Sequence, residues 1–419
     1  MPQLTNWARN VVFTPARFER PRSVDEVQEL VARADRARVL GTGHSFSEVA
    51  ATDGLLLSLA DLPPVVEVDP DAKTVRVGAG ARFGDIMGPL HEAEMALHNT
   101  GSLPHISVAG ACATGTHGSG NTLGNLASAV VELEVVRADG QLRRVRGDDP
   151  DFAGSVVSLG LLGVVTSLVL RVQPAYDIRQ YVYDNLPLEA LVDNFEEVMG
   201  SAYSVSAFTH WRGPVFETVW RKQLADAPEA PAEWLGAHLA GSARHMIEGM
   251  PTENATEQLG VPGGWHERLP HFRLEFTPSS GDEIQTEYLL PREQGPAAIT
   301  ALNSIRDVLS PALHVSEIRT IAADQQWMSA AYDRDSVGLH FTWVRDMAVV
   351  RPALQALEDV LLDLDARPHW GKVFLMERAR VRSRFPRISD FEALVRAQDP
   401  TGKFGNAFLA QYLDLPGQG

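Results

Sequence analysis

A chain of 419 residues, 44% hydrophobic and 7% aromatic, is long enough to bury two cores and has the composition of a folded globular protein. Its formal charge of −17 argues against nucleic acid or an anionic membrane surface as a partner, because both select for clustered Lys and Arg. A single cysteine, Cys112, excludes an intramolecular disulfide framework and a Cys-rich metal site, and fits cytoplasmic residence.

The opening Met1-Pro2-Gln3-Leu4-Thr5-Asn6-Trp7 has neither a basic nor an apolar leader region, and no apolar run reaches membrane length, so neither export nor membrane insertion is expected. Ser23-Val24-Asp25-Glu26 reads as a capping box that opens a helix to about Arg36, with Val27, Leu30, Val31 and Ala34 on one face. Val39-Leu40 follows as a strand and runs straight into the turn Gly41-Thr42-Gly43-His44-Ser45-Phe46. Glycines there can take positive φ and leave no Cβ in the way, so successive N–H groups can converge on phosphate oxygens. No third glycine stands where a dinucleotide fingerprint requires it, and a nicotinamide site is not expected. A solvent loop with a packing histidine is the plain alternative.

Strands are expected at Leu55 to Leu57, Val65 to Val68 and Val75 to Val77, a helix near Phe83 to Ala93, and strands at Val130 to Arg137 and Val164 to Val172. Between them, small residues dominate from Gly101 to Gly120. Such a run lets main chain approach a flat ring system closely, and Ile106, Val108 and two histidines make it unlike a flexible linker. Leu159-Gly160-Leu161-Leu162-Gly163-Val164-Val165, taken alone, is a buried strand entered through a glycine bend.

Near Pro174-Ala175-Tyr176 the pattern changes to longer strands and helices, an expected domain boundary. Leu188 to Met199, Ala297 to Leu309 and Ala348 to Leu364 read as amphipathic helices. Tyr203 to Trp211, Ile284 to Leu290, Val315 to Ile321, Val337 to Val344 and Lys372 to Met376 read as strands of one sheet. Ala225 to Gly264 reads as long loops with some helix. Strand parity sets Glu317 and Arg319 on one face, opposite Ile318, and His340 and Thr342 on another, opposite Phe341 and Trp343. Lys372 can do the same from a third strand. For a lone strand the ordinary meaning of such alternation is a solvent face. Lysine occurs only at Lys73, Lys222, Lys372 and Lys403, so each is a candidate for a specific task. His91, His98, His105 and His117 lack the acidic or cysteine spacing of a zinc motif, so no metal is expected, and His369 reads as a pocket wall.

The His44 loop, the Gly101 to Gly120 run, the Leu159 to Thr166 segment and the closing Asp399-Pro400-Thr401-Gly402-Lys403-Phe404-Gly405-Asn406 stand in family order. In them the chain resembles the covalent-flavin branch of the vanillyl-alcohol oxidase family, most closely the bacterial alditol oxidases, which are related to sugar-lactone oxidases. The resemblance implies an α+β fold of two domains. Residues 1–175 and 377–419 would form the FAD-binding domain, and 176–376 a substrate-binding cap with an antiparallel sheet backed by helices. FAD would be bonded to His44 through its 8α-methyl. Its expected contacts are Gly41, Thr42, Gly43, His44 and Ser45 in the first loop, then Gly101, Ser102, His105, Ser107, Gly110, Thr114, Gly115, His117 and Gly118, then Gly163, Val164, Val165 and Asn406.

Substrate groups of the alditol oxidases match Ser102, Glu317, Arg319, His340, Thr342 and Lys372. These donors and acceptors suit a polyol, which offers only hydroxyls. The implied reaction takes the terminal primary hydroxyl of xylitol or sorbitol to the aldose and reduces dioxygen to hydrogen peroxide. Expected catalytic residues are His340, Lys372 and Arg319. His340 is the expected base, because a neutral histidine suits that task at its ordinary pKa whereas lysine needs depression. Lys372 would stabilise the developing alkoxide, or the two would act as a pair. Gly101 matches the small residue that leaves room for dioxygen. A monomer that meets only a small polyol and dioxygen is expected. Two other readings stand beside this one: an aldonolactone or sugar oxidase or dehydrogenase on the same fold, and a flavin-binding paralogue without turnover.

Overall fold

The computed structural model describes residues 3–276 and 282–417. In chain order the first strands are β1 (Arg17–Glu19), β2 (Ala37–Val39), β3 (Leu55–Leu57), β4 (Val66–Asp69), β5 (Thr74–Gly78), β6 (Met95–Ala96), β7 (Val130–Val136), β8 (Leu142–Arg146), β9 (Val164–Arg171) and β10 (Gln173–Pro174). They pair into a parallel sheet of order β1-β3-β2, an antiparallel sheet of order β4-β5-β9-β7-β8, and the small pair β10-β6. The run from Val164 is the strand its pattern predicts: Val164, Thr166, Leu168 and Leu170 are buried between β5 and β7.

The helix Val24–Arg33 opens as the capping pattern requires, with Ser23 Oγ accepting from Glu26 N at 3.2 Å. Glu26 reaches one residue further back than a capping box would, accepting from Arg22 N at 2.6 Å. Val27 and Val31 face the core, each burial contributing about 1.5–3 kcal/mol. The helix stops at Arg33 rather than near Arg36 because Ala37 N is already engaged by Lys403 O at 2.9 Å, at the start of β2.

Next to it, Arg38 is buried and its guanidinium gathers main-chain carbonyls from three distant segments: Val49, Leu159 and Gly160, and Phe404. Lys403 does likewise, donating to Val31 O and Ala138 O at 2.7 Å each. The last part of the chain, through helices Arg378–Arg384, Ile388–Gln398 and Ala407–Ala410, thus returns to the first sheets.

A ten-stranded antiparallel sheet occupies the middle of the chain. Its strands are β11 (Asp177–Pro187), β12 (Ser204–Thr209), β13 (Val215–Leu224), β14 (Glu233–Trp234), β15 (Ala237–Leu239), β16 (Pro262–Gly264), β17 (Glu283–Pro291), β18 (Leu313–Ile321), β19 (Ser336–Val344) and β20 (Arg367–Pro368). Their order is β14-β15-β11-β13-β12-β18-β19-β17-β20, with β16 beside β11. Helices at Gly295–Ser304 and Met347–Val360 bury Ile299, Leu302, Leu354 and Leu357 in the main core. The architecture is α+β, and among the described residues no helix is long and apolar enough to cross a membrane.

Four local readings need correction. Ala297 to Leu309 is two helices, Gly295–Ser304 and Arg306–Leu309, broken at Ile305, which leaves helical geometry at φ −111. Leu188 to Met199 is two helices, Leu188–Asp193 and Phe195–Met199, because Asn194 leaves helical geometry at φ −122 and donates its side chain back to Ala190 O at 2.8 Å. Between Ala225 and Gly264 the secondary structure is short strands and a 3-10 turn at Thr252–Asn254, with no α-helix. Lys372 to Met376 is not a strand: Lys372 N closes a turn onto His369 O at 3.0 Å.

Candidate functional site

A cavity of about 310 Å³ runs from the glycine loops to the face of the ten-stranded sheet. One wall is the turn after β2. Gly43 takes φ +73, and its carbonyl accepts from Trp7 N at 2.8 Å. A Cβ on Gly41 would lie 2.3 Å from Ser107 Oγ and one on Gly110 2.7 Å from the same atom, so the two glycine segments converge on the Ser107 hydroxyl, which would have to turn away to admit either. Thr42 Oγ1 accepts from Ser107 N at 3.1 Å, which leaves the Thr42 hydroxyl proton free for His44 Nδ1, 3.0 Å away. His44 stacks on Trp7 with centroids 5.4 Å apart. Burial, then nearby His105 and Lys372, lower its pKa to about 4. His44 is therefore a neutral imidazole at neutral pH.

Of the residues expected to touch a cofactor, Gly41 to Ser45, Gly101, Ser102, Ser107, Gly110, Thr114, His117, Gly163 and Val165 line this cavity. His105, Gly115, Gly118, Val164 and Asn406 are outside its lining, each with a visible structural task. His105 Nε2 is 2.9 Å from Leu274 O. Gly115 ends the helix Val108–Thr114 in left-handed geometry. Gly118 packs so tightly that a Cβ would meet Thr100 O at 2.3 Å. Val164 belongs to the core around Val27 and Val136. Asn406 caps the helix Ala407–Ala410 and donates to the carbonyls of Glu48, Val49 and Ala51.

The opposite wall is built by strand register. Glu317 on β18 lies opposite His340 on β19, and His340 opposite Glu287 on β17; Thr342 lies opposite Val315 and Gln285 in the same way. All are buried except Gln285, which is half-buried, so the solvent-face meaning of the alternation does not apply. Arg319 bonds Glu287 Oε1 at 2.6 Å and its Nε is 3.7 Å from Glu317 Oε2. His117 Nε2 stands 3.2 Å from Glu287 Oε1, and His271 Nε2 is 2.9 Å from Glu317 Oε1.

Burial alone would raise both carboxyls. For Glu317 the Arg319 guanidinium and then the His271 ring, which hydrogen-bonds it, outweigh burial, and for Glu287 His117 and then Arg319 do, so both stay far below the usual carboxylate range. At the centre Gln285 Oε1 accepts from Lys372 Nζ and stands 3.1 Å from His340 Nε2, while its amide donates to Glu283 Oε1 at 2.6 Å. Because that oxygen is an acceptor, His340 carries its proton on Nε2 and leaves Nδ1 bare. Burial followed by the Lys372 charge holds His340 at about 3. Burial, opposed by Glu287 and aided by Arg319, brings Lys372 down to about 8.

The sequence reading named Glu317, Arg319, His340, Thr342, Lys372 and Ser102, and all of them line the one cavity. It passed over Gln285, Glu287 and His271. The first two carried a signal, since Glu283, Gln285 and Glu287 alternate with Ile284, Thr286 and Tyr288 along β17. His271 sits in a loop and carried none.

Two glycine segments bare of side chains at Gly41, Gly43 and Gly110, with a histidine at one end, fit FAD: the loops leave main-chain N–H groups open to its phosphates, and the polar sheet face lies on the far side. Residues 15–146 match the FAD binding domain family and 282–412 the D-arabinono-1,4-lactone oxidase family. The chain is 49% identical to an alditol oxidase of a Streptomyces species over 98% of this chain and 99% of that one. It is 28% identical to an L-gulono-1,4-lactone dehydrogenase of Mycobacterium tuberculosis, over 98% and 99%. Its fold superimposes on cholesterol oxidase from B. sterolicum with a TM-score of 0.80 at 16% identity, covering 98% and 96%. A xylooligosaccharide oxidase from Myceliophthora thermophila gives 0.74 at 15%, covering 98% and 94%. By its FAD-binding region, its fold and a full-length relative at 49% identity, the chain belongs to the alditol oxidase family of flavoproteins.

Proposed function

We propose that this protein oxidises the terminal primary hydroxyl of an alditol such as xylitol or sorbitol to the aldose, with dioxygen reduced to hydrogen peroxide. The observation that carries the reading is that one cavity joins the glycine loops to a buried face bearing Glu317, Arg319, His340, Thr342 and Lys372. A neutral polyol needs acceptors and donors at close spacing rather than one strong charge, and this face supplies both. We assign residues 1–175 and 377–419 to the cofactor half and 176–376 to the cap. When bound, FAD supplies the acceptor for the hydride from C1 and passes the electron pair to dioxygen.

The chain must hold the alcohol and take its proton. Glu317 accepts from a substrate hydroxyl, while Arg319, Ser102 and Thr342 complete the grip. For the proton, the electrostatics favour Lys372 over the expected His340. An imidazole held at about 3 is a weak base, whereas an amine brought to about 8 is partly neutral at physiological pH and strong enough to assist. In this assignment His340 orients the hydroxyl through its bare Nδ1, and Gln285 sets the distance between the two. His44, neutral and seated on Trp7, is the attachment point for the flavin. Gly101 borders the cavity without positive φ, and a Cβ there would meet nothing closer than Ile106 Cδ1 at 3.4 Å. A turn does not require this glycine, and its place on the cavity wall supports the dioxygen-access role that the family resemblance implies.

Anaerobic mixing of the purified yellow protein with xylitol tests the reading: the oxidised flavin band bleaches. Persistence of the band with xylitol, together with bleaching by an aldonolactone, would move the activity to the lactone class.

A further inference from the structure

Behind the polar face lies a second, unassigned arrangement. Lys222 sits in mid-strand on β13, opposite Ser204 and Gln180, and is 1% exposed. A buried ammonium is costly unless every proton is satisfied. Here the three protons go to three successive carbonyls, those of Arg268, Leu269 and Pro270, at 2.8, 2.7 and 2.8 Å. The next residue is His271, whose N–H, with that of Phe272, donates to Ser102 O at 3.1 and 3.2 Å. Its ring is boxed edge-on by Trp220 and Phe208, and Nε2 is 2.9 Å from Glu317 Oε1, with Ser206 Oγ at 3.4 Å. Nδ1 is buried with no partner among the described residues. A neutral ring protonated on Nε2 satisfies this geometry.

We propose that Lys222 and His271 are positioning residues for the substrate grip: Lys222 fixes the 268–270 carbonyls, and His271 then anchors Ser102 through its backbone and Glu317 through its ring. This rests on the proposed alditol reading for its purpose but not for its geometry. A neutral donor steadies the Glu317 carboxylate without cancelling its charge, which keeps the remaining lone pairs free for a substrate hydroxyl. The groups facing His271 are Lys222 on β13 and Glu317 and Arg319 on β18; those facing Glu317 are His271, Arg319, His340, Lys222 and Lys372. Burial and then the Lys222 charge hold His271 at about 4, in keeping with a ring that stays neutral.

Two measurements on flavin-loaded protein test the pair. The 15N shifts of His271, identified by difference against His271→Gln, need no substrate: the ring is expected to remain neutral with its proton on Nε2 from pH 5.5 to 9, and Lys222→Met to move its titration upward by about one unit or more. Titration of His271 near the ordinary histidine value in the unsubstituted protein, or the opposite tautomer, overturns the proposal whatever the substrate. In turnover, His271→Leu is expected to raise the xylitol KM about 10-fold or more, with a smaller change in kcat, and to bring in a new acid limb as Glu317 becomes protonatable. His271→Gln, which keeps a donor, rescues most of this. Equal impairment of the Leu and Gln variants, or an unchanged KM and pH profile in His271→Leu, refutes the positioning role. If Lys222→Met does not fold, the two His271 variants and the shifts of the unsubstituted protein still decide. Failure of the unsubstituted protein to bleach with xylitol overturns the alditol reading instead and leaves the shifts to judge the arrangement.

Discussion

Varying pH during the reductive half-reaction reads out the protonation of Lys372. Burial brings this ammonium to about 8, opposed by Glu287 and aided by Arg319. With the neutral amine as the proposed base, the rate is expected to rise with pH. The neutral fraction is about 1% at pH 6, about 10% at pH 7, half at pH 8 and about 90% at pH 9. The rate constant for anaerobic bleaching at saturating xylitol is therefore expected to climb about 10-fold from pH 6 to 7, about 5-fold from 7 to 8, and less than 2-fold above 8. Lys372→Met should abolish that limb and slow bleaching by about 10² to 10⁴. His340, held at about 3, is neutral throughout this window, and as sole base it would give a flat profile. Stopped-flow absorbance in a buffer series of constant ionic strength makes the measurement. A flat profile in the unsubstituted protein, or an intact limb in Lys372→Met, would refute the assignment and return the role to His340.

His44→Ala should release all flavin on acid precipitation, while the unsubstituted protein keeps its colour in the pellet; equal release from both would sink covalent attachment. Gly101→Val should leave bleaching by xylitol within about 3-fold and slow reoxidation by air about 10-fold or more, a barrier rise of about 1.4 kcal/mol; an unchanged reoxidation trace removes the oxygen-access role. Gly118→Ala pushes a methyl into the main-chain Thr100 O and into the Asn99 side chain, which is held by Ser119 O and Thr100 N, and should destabilise by about 1–3 kcal/mol, read as a lower denaturation midpoint at unchanged slope.

Local chemistry made part of this site legible. Glu317 with Arg319, and His340 with Thr342, stood out because charged and polar groups alternated with Ile318, Phe341 and Trp343, and a strand shows such alternation whatever its neighbours. The same pattern along Glu283, Gln285 and Glu287 was passed over, since nothing in β17 says that its polar side faces a cavity; that follows only from pairing with β19, about fifty residues on. Lys372 was placed on the right side of the site by the wrong means, on a turn after Trp370 and Gly371 rather than a strand. Asn406 was expected at the cofactor because of its place in the family segment; in the structure it caps the helix Ala407–Ala410, a role its sequence neighbours did not announce. His271 could not be found at all, because its meaning lies in partners on β13 and β18.

The Arg38 knot sets an order of assembly. Its guanidinium ties the strand that leads into the His44 loop to Phe404, 366 residues later, as well as to Leu159 and Gly160. During synthesis the floor beneath that loop therefore lacks this partner until residue 404 has been made, and the closure of such a long loop is slow. Stable cofactor capture is accordingly expected to wait for that segment. Deleting the segment around Phe404 should leave a chain that is made but stays colourless when supplied with FAD.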